Sequence, residues 1–201
     1  MMRRVLRQSF WVLAVVSLAG ATSLATTMLH MNLDDMGRQA DKIFRGTVLK
    51  VTEGEVEVGG GMLPTTTYVL QVDEAFKGEF ETVKGLQLVE IRMLGKMRPH
   101  AVGSLKRMSV LPDMPRLDLG QTYLLFSTQP SGAGLSTTVG LGQGSFHLSG
   151  TQYKEMAVNE YGNLGLFKGM SVKDINASGP VPYLRLADQI RTGLAAVQGG
   201  N

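Results

Sequence analysis

A regular alternation of apolar and polar side chains over residues 65–76 constrains the fold more than any other feature of the chain. A period of two places alternate side chains on opposite faces of a β-strand. One face carries Thr66, Tyr68, Leu70 and Val72, and the other carries Thr67, Val69 and Gln71. Since such a strand needs partners to complete a sheet, we expect a mainly β fold.

Other segments continue this β pattern. Strands are predicted at residues 43–51, 87–93 and 121–127, with shorter ones at 135–141 and 145–148 and a glycine-rich β meander through 157–159 and 164–167. Residues 53–63 contain three consecutive glycines and are predicted to form a flexible hairpin tip. Gly46, in the middle of its strand, indicates a bend or a β-bulge.

Two helices are predicted, one near each end of the folded region. Residues 32–40 begin with Asn32, a good N-cap, and acidic residues fill the first turn, where the helix dipole favours them. Residues 182–197 repeat apolar side chains at helical spacing, and Pro182 suits a first turn. We expect this second helix to close the domain and the last three residues, 199–201, to fray.

The N-terminus has the pattern of a secretory signal peptide. Three arginines precede an apolar run of about ten residues, shorter than the ~20 that a membrane-spanning helix needs, and small residues follow. Cleavage is favoured after Ala25, with Ala21 as the alternative. The predicted organisation is a signal peptide at 1–25, a β-barrel domain at 26–180, and a C-terminal helix and tail at 181–201. The mature protein is expected in the periplasm or outside the cell, with no stable membrane anchor.

Removal of the signal peptide changes the charge balance of the chain. The formal net charge of +3 includes Arg3, Arg4 and Arg7, and without them 17 basic residues face 17 acidic ones. A neutral mature protein argues against nucleic acid as a partner. The chain has no cysteine, so no disulfide can form and an ordinary apolar core must stabilise it.

Two pairs of segments carry a resemblance to known families. Residues 40–48, ADKIFRGTV, and 68–78, YVLQVDEAFKG, resemble the first hairpin of the netrin-like domain of tissue inhibitors of metalloproteinases. Residues 120–126, GQTYLLF, and 139–146, VGLGQGSF, resemble segments that recur in a group of exported bacterial proteins of uncharacterised function. The second resemblance spans most of residues 28–170, and the first covers about forty residues.

The resemblance implies a small OB-type, netrin-like β-barrel with a short N-terminal helix and a C-terminal helix. It also raises the possibility of an inhibitor of an extracytoplasmic protease. The metalloproteinase inhibitors chelate the protease zinc through an N-terminal cysteine, which this chain lacks, so that residue cannot be carried over. OB-type barrels support many unrelated functions, and the fold alone therefore implies no activity.

Residues that could carry chemistry are scattered rather than arranged in motifs. The three histidines, His30, His100 and His147, match no metal-ligand spacing. Ser145 follows a glycine-rich run. A nucleophile elbow and a phosphate-binding loop both require a helix after such a run, whereas a strand is predicted here. Glu53, Glu55 and Glu57 alternate along one strand and could bind calcium, although a solvated hairpin arm is the favoured interpretation. No catalytic residue, metal site or cofactor is predicted.

The most asymmetric segment is residues 92–116, where six basic residues and one histidine face a single acidic residue. This basic surface is a candidate for contact with an acidic protein or an acidic polymer, and the alternative, somewhat favoured, is that its charges simply keep a long loop solvated. Its members are Arg92, Lys96, Arg98, His100, Lys106, Arg107 and Arg116. The favoured function is a non-enzymatic, exported binding or interaction module. The alternatives are the protease inhibitor and a metal-dependent hydrolase, which would need histidines to converge in a cleft.

Overall fold

The expected β-rich architecture is present as one antiparallel sheet with two helices. The structure is a computed structural model that describes residues 29–96, 114–151, 154–170 and 178–199. Within these ranges the strands are β1 (Lys42–Val58), β2 (Gly61–Lys77), β3 (Glu81–Val83), β4 (Leu86–Leu94), β5 (Thr122–Ser127), β6 (Ser145–Ser149), β7 (Met156–Asn159) and β8 (Val181–Pro182). Their order across the sheet is β3-β4-β2-β1-β5-β6-β7-β8.

The hairpin of β1 and β2 is the longest unit of the sheet. Its turn is the pair Gly59 and Gly60, which have φ angles of 62° and 79°. Both values are positive, as a two-residue hairpin turn of type I′ requires. The prediction of a flexible tip over residues 53–63 was therefore wrong in extent, because the ladder continues to the pair Val58 and Gly61.

The predicted irregularity at Gly46 is confirmed. The register between β1 and β2 shifts between Arg45 and Gly46. A Cβ atom at Gly46 would lie 2.6 Å from the backbone oxygen of Gln71, far inside van der Waals contact. Glycine is required here because the two backbones approach so closely.

The sheet has an apolar core on each face, and β5 contributes to both. We call one of them the barrel-side core, after the predicted barrel, and it contains Phe44, Val48, Tyr68, Leu70, Val72, Val89, Ile91, Met93, Leu117, Tyr123 and Leu125. The helix-side core includes Ile43, Leu124, Phe126, Phe146, Leu148, Ala157, Leu186 and Ile190. Alternate residues of β5 enter opposite cores because successive side chains of a strand point to opposite faces. The predicted alternation over residues 65–76 is confirmed, and the face with Thr66, Tyr68, Leu70 and Val72 is the buried one.

Both predicted helices are present: α1 (Leu33–Gln39) and α2 (Tyr183–Gly199). The side chain of Asn32 accepts a hydrogen bond from the backbone N–H of Asp35, which confirms the predicted cap. The Lys77 ammonium donates to the carbonyl of Gly37 near the other end of α1. A cation stabilises a helix there because the last carbonyl groups carry partial negative charge.

The C-terminal helix docks on the sheet through a polar cluster as well as apolar side chains. The Tyr183 hydroxyl donates to Glu74 on β2, and Arg191 of α2 forms an ion pair with the same carboxylate. Burial, and then the hydrogen bond to Glu74, raise the pKa of Tyr183. Pro182 lies in β8, just before the helix. The predicted apolar face packs on the helix-side core through Leu186, Ile190 and the half-buried Leu194, whereas Val197 near the end is 54% exposed.

Two predicted strand segments were wrong. Residues 135–141 do not form a strand, and their β structure is a single isolated antiparallel bridge between Thr138 and Ser127. Gly140 and Leu141 have φ angles of 61° and 54°, which end extended structure, and a 3₁₀ turn (Leu141–Gly144) follows. Residues 164–167 lie in consecutive turns for the same reason, since Asn163 and Gly165 also have positive φ.

The two outer strands, β3 and β8, are not paired with each other within the described residues. The segment that follows β5 makes one backbone contact with β4 and one within itself. The N–H of Ser136 donates to the carbonyl of Arg92 at 2.9 Å, and the N–H of Thr128 donates to Thr137 at 2.8 Å. Closure of the sheet into a barrel remains a prediction. No helix in the described part of the chain is long and apolar enough to cross a membrane.

Candidate functional site

The predicted basic surface is described only in part. Arg98, His100, Lys106 and Arg107 lie outside the described residues. Arg92 lies on β4, and its guanidinium is 3.6 Å from the carboxylate of Glu90 on the same strand. Both side chains are on the face of β4 opposite to the buried Ile91 and Met93. Lys96 follows the end of β4 and is half-buried. Arg116 is exposed in the segment that leads back to β5. Arg92 thus points away from the barrel-side core, whereas Arg116 lies at its edge.

Two tyrosines fix the backbone on which Arg116 stands. Leu117 is fully buried in the barrel-side core, and its backbone is hydrogen-bonded to Tyr68 of β2. The next residue, Asp118, donates its N–H to the Tyr123 hydroxyl of β5 at 3.0 Å. Pro115, before Arg116, is also buried. The exposed guanidinium therefore extends from a main chain that is held on both sides.

The same two hydroxyls are hard to ionise. Burial raises the pKa of Tyr68 to about 12, against the opposing effects of the Leu117 hydrogen bond and of nearby Arg116. Burial also raises the pKa of Tyr123, with the hydrogen bond from Asp118 acting in the opposite direction. The desolvation of the phenolate form is the larger effect in both cases. Both side chains are neutral hydrogen-bonding groups at physiological pH.

A shallow cleft of about 230 Å³ opens beside Arg116. Its lining consists of Arg116, Tyr123, Ser145, His147, Val158, Asn159 and Glu160. The register of the sheet produces it, because Tyr123 of β5 pairs with His147 of β6, and His147 pairs with Val158 of β7. The Tyr123 and His147 rings meet edge to face, with their centroids 5.6 Å apart. We call this the Arg116 cleft.

Ser145 lies in this cleft, two residues before His147 and on the same face of β6. Ser145 is only 6% exposed and lines the cleft. His147 is exposed and lines the cleft beside it.

Glu160 gives the cleft an acidic wall. It follows β7, and its N–H donates to the carbonyl of Gly142 at 3.4 Å. Its carboxylate lies over the 3₁₀ turn, since a Cβ atom at Gly142 would be 2.5 Å from Glu160 Oε2. The cleft therefore combines a cation, an anion and neutral hydrogen-bonding groups within a small volume.

A buried amide network shapes the floor of the cleft. The Asn159 amide donates to the Gln143 carbonyl at 3.0 Å and accepts from the N–H groups of Tyr161 and Asn163. The Gln143 side chain accepts from the N–H of Met31 at 2.8 Å. Sequence analysis missed this network, although Asn163 in a glycine-rich turn is a signal for the left-handed conformation that it adopts. The glycine-rich run is thus followed by β6, and not by a helix.

The histidines do not form a metal site in the described ranges. His30 packs against Gly165 beside the segment held by Gln143, and His147 lies on the opposite face of the sheet from the helix-side core. His100 is outside the described residues. The described ranges contain no group of three or more histidine and carboxylate side chains that could hold a metal ion. Glu53, Glu55 and Glu57 are exposed along β1, as their spacing predicted.

Comparison with known proteins does not assign the chain to a family. No model of a protein family matches the chain, and no curated protein is significantly similar to it in sequence.

Proposed function

We propose that this chain is an exported, non-enzymatic binding module that holds an acidic partner on a basic surface centred on Arg116. The observation that carries the proposal is the exposed Arg116 side chain on a main chain that is held in place. The backbone of the next two residues is hydrogen-bonded to Tyr68 and Tyr123, and no carboxylate in the described ranges forms an ion pair with Arg116. A main chain held in place before binding loses less conformational freedom when a partner arrives.

The charge of the surrounding sequence supports the same proposal. Residues 92–116 carry six basic residues against Asp113, on a chain that is formally neutral after removal of residues 1–25. A local excess of one sign attracts an oppositely charged partner and accelerates its association. Arg92, Lys96 and the four residues Arg98, His100, Lys106 and Arg107 would add to this attraction, with Arg116 at the point of contact.

We further propose that the scaffold is an OB-type barrel around the barrel-side core. The bond from Ser136 to Arg92 and the bridge between Thr138 and Ser127 support closure, because they connect β4 to β5 through the segment that follows β5. Export rests on the N-terminal pattern of residues 1–25. N-terminal sequencing of the protein from an extracytoplasmic fraction would test it, with Thr26 expected as the first residue and Thr22 as the alternative.

Binding is tested by titration of the exported protein with two generic polyanions, polyglutamate and dextran sulfate. We expect binding at low salt that weakens as salt rises, because screening shortens the range of charge attraction. Arg116→Gln should reduce affinity by about tenfold, as expected for the loss of a charged hydrogen bond.

The matched control is Arg38→Gln, which removes the same charge from α1 and should leave the affinity unchanged. Arg38 is exposed and paired with Asp35 on its own helix. An absence of binding to both polyanions at low salt, or equal losses in the two variants, would contradict the proposal.

A further inference from the structure

One edge of β1 is unpaired over more than half of its length. β1 pairs with β2 from Ile43 to its end at Val58, but its other edge pairs with β5 only from Lys42 to Thr47. Two further backbone bonds at Val48 end that contact. Beyond Val48, the described residues supply no backbone hydrogen bond to this edge. We call residues 49–58 the open edge of β1.

The open edge is accessible to solvent. Leu49 and Val58, at its two ends, are 47% and 41% exposed, and the residues between them are exposed or partly exposed. Alternate residues of a strand direct their N–H and C=O groups to opposite edges, so every second residue here directs both groups away from β2. An edge of this kind binds an extended chain by adding it to the sheet as one more strand.

The two faces of this segment differ in chemistry. Glu55 and Glu57 share a face with Val51, which packs against the barrel-side core, and both glutamates are exposed. Val56 and Val58 lie on the opposite face of the strand. An added strand would therefore meet carboxylates on one face and apolar side chains on the other.

The charges on the open edge select its partner. Two copies of this chain that pair antiparallel about a two-fold axis keep like faces together, so their glutamates would face each other. Like charges at cross-strand positions are destabilising, whereas opposite charges stabilise the pair. Acidic residues on an edge therefore disfavour self-pairing and favour a strand with lysine or arginine at every second position.

We infer that the open edge of β1 binds an extended basic segment of another protein by strand addition. Basic residues of that segment face Glu55 and Glu57, and the apolar or β-branched residues between them cover Val56 and Val58. Main-chain hydrogen bonds supply affinity, and the alternation of side chains sets the register. This edge takes a partner of the opposite charge to that of the basic surface, so the inference goes beyond the proposed function.

The probe is a fluorescently labelled peptide, Lys-Thr-Lys-Val-Lys-Thr-Lys, titrated with the exported protein at low salt. We expect binding, measured by fluorescence anisotropy, together with slower hydrogen exchange in residues 49–58. Two N-methylated forms of the peptide separate strand addition from charge attraction, because methylation at alternate residues removes the N–H groups of one edge only. The form methylated on the edge that meets β1 should bind at least about tenfold more weakly, and the other form should bind as the unmodified peptide does.

A pair of charge variants locates the site on β1. Glu55→Gln combined with Glu57→Gln should weaken peptide binding by about threefold to tenfold, because it removes two cross-strand charge pairs. Glu79→Gln combined with Glu81→Gln is the matched control. It removes the same charge from exposed residues at β3, which is also an outer strand, and should leave the affinity unchanged.

The outcomes also separate this inference from the proposed function. Equal affinity of the two methylated peptides would reduce the binding to charge attraction and overturn strand addition. Equal losses in the two charge variants, or exchange protection at β3 in place of residues 49–58, would likewise overturn the assignment to the open edge. Absence of peptide binding at low salt would refute the inference and leave the proposed function, which concerns acidic partners, unaffected.

Discussion

Replacement of Tyr68 by phenylalanine tests whether the anchored hydroxyl holds the Arg116 segment. Tyr68 is 2% exposed, and its pKa is raised by burial to about 12. The substitution keeps the ring in the barrel-side core and removes only the oxygen. The backbone group of Leu117 that is hydrogen-bonded to it would then be left without this partner inside the protein.

At neutral pH the variant should be less stable by about 1–2 kcal/mol. An unsatisfied buried polar group costs ~1–3 kcal/mol, and the lower half of this range applies because the neighbouring bond from Asp118 to Tyr123 remains. Phe44→Leu, in the same core, is the matched control. It removes apolar contact without removing a titratable group.

The same substitution should change how stability depends on pH. The folded-state pKa of about 12 exceeds the unfolded value near 10, so the folded state retains its proton longer as the pH rises. The contribution of Tyr68 is complete below pH 10 and is lost between pH 10 and 12. A difference of two pKa units corresponds to roughly 2 kcal/mol after allowance for partial solvation.

Urea unfolding at several pH values between 8 and 12 measures both effects. Over this interval the free energy of unfolding of the wild type should fall by about 2 kcal/mol more than that of Tyr68→Phe. The difference in stability between the two proteins should therefore shrink toward zero. Phe44→Leu should stay less stable than the wild type by a constant amount. A difference between wild type and Tyr68→Phe that stays constant from pH 8 to 12 would refute a raised tyrosine pKa.

Further predictions concern close packing and the amide network. Gly46→Ala should destabilise the protein by about 1–3 kcal/mol, since its methyl group would lie 2.6 Å from Gln71 O, whereas Gly37→Ala in α1 meets open space and should be neutral or stabilising. Chemical denaturation of the two variants checks this contrast. Gln143→Ala removes the bond to the N–H of Met31 and should cost about 1–3 kcal/mol. Hydrogen exchange at Met31 should become faster, and unchanged exchange would contradict this role.

The parts of the fold that the sequence predicted are those in which local pattern and tertiary environment agree. Residues 65–76 alternate by two, and the face with Tyr68 and Leu70 is the buried one. The α1 cap at Asn32 depends on a side chain three residues from its partner. Such local interactions form in the same way in many folds, so they are visible in a single sequence.

The wrong predictions share a different physical cause. Residues 135–141 have apolar and β-branched side chains typical of a strand, but Gly140 and Leu141 adopt left-handed angles and turn the chain into the 3₁₀ turn. The segment 53–63 has acidic and glycine residues typical of a loop, but the positive φ of Gly59 and Gly60 confines the turn to two residues, and their neighbours pair as β1 and β2. In both cases the backbone angles of a few residues, rather than side-chain propensity, decide where the chain turns.

The Arg116 cleft could not be predicted for a further reason. Arg116 and His147 were each noticed in the sequence, but 30 positions separate them, and only the register of β5 with β6 brings His147 beside Tyr123. Tyr123 connects the two halves of the site. Its ring belongs to the barrel-side core and touches His147, and its hydroxyl holds Asp118 two residues after Arg116. The geometry of the Arg116 cleft is therefore a consequence of core packing, and a change that loosens Tyr123 would move both walls of the cleft together.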